Sequence, residues 1–346
     1  MKTLPSARRL ILLPALFAAV AASGWDYEGH RNVNQLALAS LPADFPAFVH
    51  EPANVERIAF LSGEPDRWRN VPDGMMKQSG GSWTDHFCDL EYIPAAGLDI
   101  AKVPSFRYDF IQQFAAGRAT HLENFPTIDP KKNTDHSSEW PGFAPWAIAE
   151  YYLRLKSGFS YLKVFEELGQ PEEVANARAN IVYIMGVMGH YVGDCAQPLH
   201  TTVHHNGWTG PNPHDYTKWS GFHSWIDGGF VAKAGIKFAD VLPRVLPAEP
   251  LALAPQPDGR DPFFVATMNY LIAQNKMVEP LYALEKKGVL KAEVAATSVE
   301  GQEFIKARYL TGGQMLASIW LTAWKYAVPD TYLRGSLIKR ATATSP

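Results

Sequence analysis

The densest run of chemistry-bearing residues in the chain is His190-Tyr191-Val192-Gly193-Asp194-Cys195-Ala196-Gln197-Pro198-Leu199-His200. His190 and Asp194 are four apart, so on a helix both side chains project from one face and can share a metal ion. His200 follows just past the break at Pro198, and His223 with Asp227 repeats the four-residue spacing. A single His–Asp pair at this spacing is most simply a surface or capping pair. Two pairs with a further histidine between them would require several separate coincidences under that view. Imidazole nitrogens mixed with carboxylate oxygens suit zinc best, although iron and manganese accept the same ligand types. The only cysteines are Cys88 and Cys195, which excludes a disulfide-built scaffold and a cysteine-based structural zinc site. Both are expected to be buried and free, with a Cys88–Cys195 disulfide as the alternative.

Three upstream stretches complete the pattern: Trp25-Asp26-Tyr27-Glu28-Gly29-His30, Pro65-Asp66-Arg67-Trp68-Arg69 and Asp85-His86-Phe87-Cys88-Asp89. Taken in order from Trp25 to Asp227, the set resembles the trinuclear zinc phosphodiesterases. These are the single-strand-specific nucleases with 3'-nucleotidase activity and their relatives, the zinc-dependent phospholipases C. The resemblance implies three zinc ions per chain. Asp66, His86, His190 and Asp194 would hold the first, and His200, His223 and Asp227 the second. The third would take the free α-amino group and carbonyl of Trp25 together with His30, with Asp194 bridging it to the first.

Such a cluster suits phosphodiester hydrolysis, because zinc lowers the pKa of bound water from about 15.7 to about 7 and clamps the attacking and leaving oxygens. The resemblance implies a catalytic role for Asp66, which would orient the attacking water between the ions bridged by Asp194. It also implies one for Arg69, whose planar fork would contact the phosphate. Phe87 and Asp89 would hold a nucleobase. Asp85 and Asp89 flank His86 and are candidates to bond its second ring nitrogen. His204, His205 and His214 read as solvated or supporting, and His50, His121 and His136 carry no spacing signal.

Substrate features divide. The five-residue step from Trp25 to His30 and the aspartate at Asp227 look like the nucleases, whereas Phe222-His223-Ser224 also fits the phospholipases. Gly228 stands where the nucleases often carry a base-contacting asparagine. The 104-residue interval from His86 to His190 is long for a nuclease, so Asn124 to Pro145 is expected to reshape the cleft mouth. The preferred expectation is hydrolysis of single-stranded nucleic acid and 3'-nucleotides. A phospholipid headgroup is the alternative substrate, and a non-catalytic, metal-stabilised binding protein is the third reading.

The elements that must position these residues are helical. Apolar residues recur at three- and four-residue spacing over Val33 to Leu41, Ile148 to Leu168, Val174 to Asp194, Phe264 to Leu284 and Phe304 to Ala327, and no run alternates as a strand would. Proline and glycine clusters at Pro72 to Gly81, Pro126 to Gly142, Gly207 to Pro213 and Leu242 to Asp261 mark loops. The expected fold is all-α: a single mostly helical domain with long loops, which the resemblance places in the phospholipase C and zinc nuclease type.

Composition agrees with a large core. The chain has 346 residues, 47% of the hydrophobic set and 12% aromatic, far from a disordered composition. Its formal charge of -3 argues against a basic protein that coats duplex DNA. Residues 1–24 join Lys2, Arg8 and Arg9 to an apolar run and end in Ala22-Ser23-Gly24, which reads as a signal peptide. Cleavage after Gly24 would leave residues 25–346 as the catalytic domain, with no transmembrane anchor, and take the charge to -6. The mature protein is then expected to be secreted or periplasmic, and Trp25 becomes a free amine able to bind metal.

Overall fold

A computed structural model describes residues 25–71, 74–77 and 83–343. The leader expected at 1–24 lies outside the described residues, as does part of the loop expected at Pro72 to Gly81. Among the described residues the fold is all-α, a single helical domain with no strand. The helices are α1 (Tyr27–Ser40), α2 (Pro52–Leu61), α3 (Glu64–Arg69), α4 (Tyr92–Ala95), α5 (Arg107–Thr120), α6 (Ala144–Leu168) and α7 (Pro171–Ala196). There follow α8 (Phe222–Ser224), α9 (Phe230–Ala234), α10 (Phe238–Val241), α11 (Pro262–Asn275), α12 (Val278–Lys287), α13 (Val299–Tyr326) and α14 (Thr331–Ala343). None is long and apolar enough to cross a membrane.

Helix α7 is the axis of the molecule and packs against α1, α2, α6 and α13. Pro171 presets its first turn, and the Glu173 carboxylate accepts from the Gln170 backbone N–H at 2.8 Å. It stops at Ala196 because Pro198, two residues on, cannot continue the ladder. From Ile181 onward α7 is buried almost all round, so its end lies in the core. Neighbouring helices come unusually close there. A Cβ at Gly189 would stand 1.7 Å from Asn34 Oδ1, and one at Gly193 would stand 3.1 Å from His30 Nδ1. The Asn34 amide uses this proximity to bridge the carbonyls of Ile58 and Gly186, at 2.8 and 3.0 Å, joining α1 to α2 and α7.

Periodicity located α1, α6, α7 and α13 but joined two helices that are separate. The pattern from Phe264 to Leu284 breaks at Lys276 and Met277, giving α11 and α12. The cause is tertiary: Asn275 Nδ2 donates to the Thr201 carbonyl at 2.8 Å, which holds the end of α11 against the segment after α7.

Candidate metal centre

Each expected ligand sits where a helix begins or ends. His190 and Asp194 occupy the last two turns of α7, His30 the start of α1 and Asp66 the first turn of α3. His86 closes a 3-10 turn over Trp83–His86, and His200 lies in another over Pro198–Thr201. These two segments, more than a hundred residues apart, are tied reciprocally. Cys88 N donates to the His200 carbonyl at 2.9 Å, while His200 Nδ1 donates to the His86 carbonyl at 2.9 Å. His223 lies on α8 and Asp227 in a π-helical stretch over Trp225–Gly229. The spacing pointed to an ordinary helix here. The wider turn, a form concentrated at functional sites, still brings His223 Nε2 to 3.1 Å from Asp227 Oδ2.

Three groups of ligand atoms result, each within 4.8 Å of one another: His30 with His190 and Asp194; Asp66 with His86 and His190; and His200 with His223 and Asp227. Asp194, fully buried, joins them. Its Oδ1 lies 3.3 Å from His30 Nε2 and 3.9 Å from His200 Nε2, and its Oδ2 lies 3.2 Å from His190 Nε2 and 3.1 Å from His86 Nδ1. The eight side chains expected to bind metal therefore converge.

Electrostatics and hydrogen bonding both fit cations at this centre. Burial, with His190 alongside, pushes His86 down to about 4, and burial likewise lowers His30, His200 and His223, so their nitrogens remain neutral ligands. Burial opposes the charge on Asp194, yet His190 and His200 hold its carboxyl well below the usual range. His190 alone is raised, because Asp194 and Asp66 outweigh its burial. Asp227 is pushed well up by burial and by repulsion from Asp194 and Asp66. Asp194 Oδ1, Asp227 Oδ2 and both His30 nitrogens are buried with no hydrogen-bond partner among the described residues, and Asp66 Oδ1 has only the Arg69 guanidinium beside it. Buried carboxylate oxygens left without hydrogen bonds are costly unless charge of the opposite sign joins them. Metal ions would supply that charge, and imidazole nitrogens with carboxylate oxygens are a donor set able to hold them.

Supporting groups fix several ligands. His190 Nδ1 donates to the Ser62 carbonyl at 2.7 Å, leaving Nε2 aimed inward, and Gln197 Nε2 donates to Asp227 Oδ1 at 2.7 Å. Gln197 escaped sequence reasoning, although its place between Asp194 and His200 was a usable signal. The expected partners of His86 do not serve: its Nε2 has no hydrogen-bond partner among the described residues. Asp85 instead pairs with Arg107 at 2.9 Å, and Asp89 lies 4.0 Å from His205 Nδ1. Arg69 is buried, with Nη2 2.9 Å from Asp66 Oδ1 and its guanidinium 4.6 Å from the Trp83 ring centre, so it borders the first group.

Trp25 is completely buried, its ring 4.6 Å from that of Tyr309. The Asp26 N–H donates to the Asp227 carbonyl at 3.2 Å, which sets the start of α1 against the His223–Asp227 segment. Cys88 and Cys195 are both buried and free, as expected.

A cavity of about 490 Å³ opens beside His223. Phe87, Asp89 and His205 line it with Trp83, Tyr92 and Trp140, and part of its wall comes from the 126–140 segment. That segment turns back on the ligand loop, since Phe143 N donates to the Thr84 carbonyl and Asp89 N to the Pro141 carbonyl, both at 2.6 Å. Asp89 Oδ1 is buried without a hydrogen-bond partner among the described residues, and burial pushes its carboxyl well up. Trp83 and Trp140 had no motif to mark them, and His205 had only its proximity in sequence to His200. Compared with known proteins, the chain matches no family model and no curated protein.

Proposed function

We propose that this chain is an exported zinc-dependent phosphodiesterase acting on single-stranded nucleic acid and 3'-nucleotides, of the trinuclear zinc nuclease type that its motifs resemble. The observation that carries the reading is the gathering of seven buried or half-buried imidazole and carboxylate groups around Asp194, beside an aromatic cavity. Asp66, His86, His190 and Asp194 would hold one zinc, His200, His223 and Asp227 a second, and His30 with the processed Trp25 end a third. Bound there, zinc would supply an activated water and compensate charge on the phosphoryl oxygens.

The chain's own residues do the rest. Asp66 orients the nucleophile, and Arg69, held at 2.9 Å by Asp66, brings a fixed positive charge to the edge of the centre. Phe87 offers a ring face for stacking, and Asp89 offers hydrogen bonds to a base edge. A single-stranded substrate suits this cavity because its bases are free to leave the stack and enter.

One observation favours a second reading. The same cavity puts Asp89 and Asp129 among aromatic rings, an arrangement that also suits the quaternary ammonium of phosphocholine. The test is hydrolysis by purified protein, with and without chelator, of single-stranded DNA, RNA, a 3'-nucleotide and phosphatidylcholine. Chelator-sensitive cleavage of the nucleic acids supports the nuclease. Release of phosphocholine with inert nucleic acids would transfer the assignment to a phospholipase C, and inert results throughout, with metal bound, to a binding protein.

A further inference from the structure

Tyr309 of α13 is buried completely, yet its hydroxyl has no hydrogen-bond partner among the described residues. A buried tyrosine hydroxyl usually has a hydrogen-bond partner, as donor or as acceptor, so this group marks a place where a partner belongs. Its ring lies against Trp25 at 4.6 Å, with the planes tilted by 48°. The point where a Gly29 Cβ would stand is 2.9 Å from the Tyr309 hydroxyl and 3.0 Å from Trp25 Cβ, so the two groups crowd one small volume at the head of α1. Gly29 leaves that volume open. The Asp26 N–H, next along the chain, is bound to the carbonyl of Asp227 at 3.2 Å. Tyr309 thus packs at the head of α1 against Trp25, one residue before the Asp26 N–H that binds the ligand segment.

A chain cut before Trp25 ends in an amine. When the lone pair of that amine is given to a metal, two N–H groups remain, and in a dry site each needs an acceptor. The phenolic oxygen is such an acceptor. We propose that Tyr309 is the positioning residue for the processed amino end: its ring seats the Trp25 indole, and its hydroxyl oxygen accepts an N–H of the freed amine, turning the lone pair toward the His30–Asp194 group. This rests on the reading of Trp25 as the first mature residue.

The test uses full-length chain exported and processed in cells, as wild type, Tyr309→Phe and Tyr309→Leu. After N-terminal sequencing, two quantities are read: zinc per chain after gel filtration, and the rate at which an amine-reactive reagent labels the α-amino group with and without zinc. Wild type should begin at Trp25 and gain at least tenfold protection of the amine on zinc loading. Tyr309→Phe keeps the ring, yet should lose most of that protection and one zinc equivalent while retaining the rest. Tyr309→Leu should do the same. A Tyr309→Phe protein with wild-type zinc content and wild-type protection overturns the proposal, since packing alone would then explain the tyrosine. A different mature end, or an amine that zinc leaves unprotected, appears in the wild-type arm alone and removes the premise along with the proposal.

Discussion

The two ends of helix α7 handle charge in opposite ways. At its start Glu173 meets Arg340 of α14 through two hydrogen bonds of 2.9 and 2.8 Å, and nearby Glu167 meets Arg334, all in contact with water. Each carboxylate there has its own guanidinium, and solvent screens what remains. At the far end Asp194 is fully buried among four imidazoles, and Asp66 and Asp227 each keep a buried oxygen that makes no hydrogen bond among the described residues. The first arrangement is complete with protein atoms alone. The second gathers three carboxylates with few protein cations to match them, and that asymmetry is what makes it a candidate metal centre rather than a structural ion pair on the same helix.

Breaking the buried end should have the largest effect. His190→Ala and Asp194→Asn each remove a group on which the cluster converges, so both should lower chelator-sensitive phosphodiesterase activity by more than the roughly 100-fold typical of losing an outer-shell partner. Zinc per chain should fall in parallel, and circular dichroism should show the helices retained. Retained activity and zinc in Asp194→Asn would sink the assignment. Chelation of the wild type comes next. If free zinc stands a thousandfold above its Kd, removal should cost about 4 kcal/mol of stability, readable as a lower Tm. An unchanged Tm would mean that the buried acceptors are not relieved by metal.

Gln197→Ala tests the supporting shell. Loss of its hydrogen bond to Asp227 should weaken zinc binding about 10- to 100-fold, measured by competition with a chromophoric chelator. The pH dependence follows from His190, whose pKa is raised by Asp194 and Asp66. In the metal-free fold this raised value adds stability below about 6.5, the ordinary histidine value, and the contribution fades as pH rises through the folded value. Metal requires the neutral ring, so zinc affinity should run the other way, strengthening over the same rise, with a proton released on binding. Calorimetry in buffers of different ionisation enthalpy measures that proton, and an equal heat in every buffer contradicts the assignment.

The smallest effect belongs to the exposed end. Arg340 holds Glu173 at about 2 against an ordinary 4.5, so the pair contributes above 4.5 and is lost as pH falls from 4.5 through 2. Glu173→Gln should leave activity and zinc content at wild-type levels and remove only a slight acid-side component of unfolding. A larger change would make α14 part of the centre's support.

What was legible in the sequence was chemistry carried by spacing. His190 with Asp194 and His223 with Asp227 declare a shared face through a four-residue step, and the proline punctuation around α7 located its ends. What escaped depends on partners remote in sequence. The corner after Asn275 follows from a bond to Thr201, and Arg107 captures Asp85 from outside the motif that holds His86. The π turn under Asp227 is another case, since its neighbours Gly228 and Gly229 give no period of their own. Tyr309 and Trp140 were two rings among many until the fold put one on Trp25 and the other in a cavity wall.

The empty positions on α7 constrain the protein as firmly as its ligands do. Even one methyl group at residue 189 would collide with the Asn34 amide and displace the side chain that ties α1 to α2 and α7. The stacked rings of His30 and His190 ride on the two backbones that this tie holds together. A saturation library should therefore tolerate less at this glycine than at most aromatic core positions. A variant there that still folds is expected to reveal itself first by leaking metal.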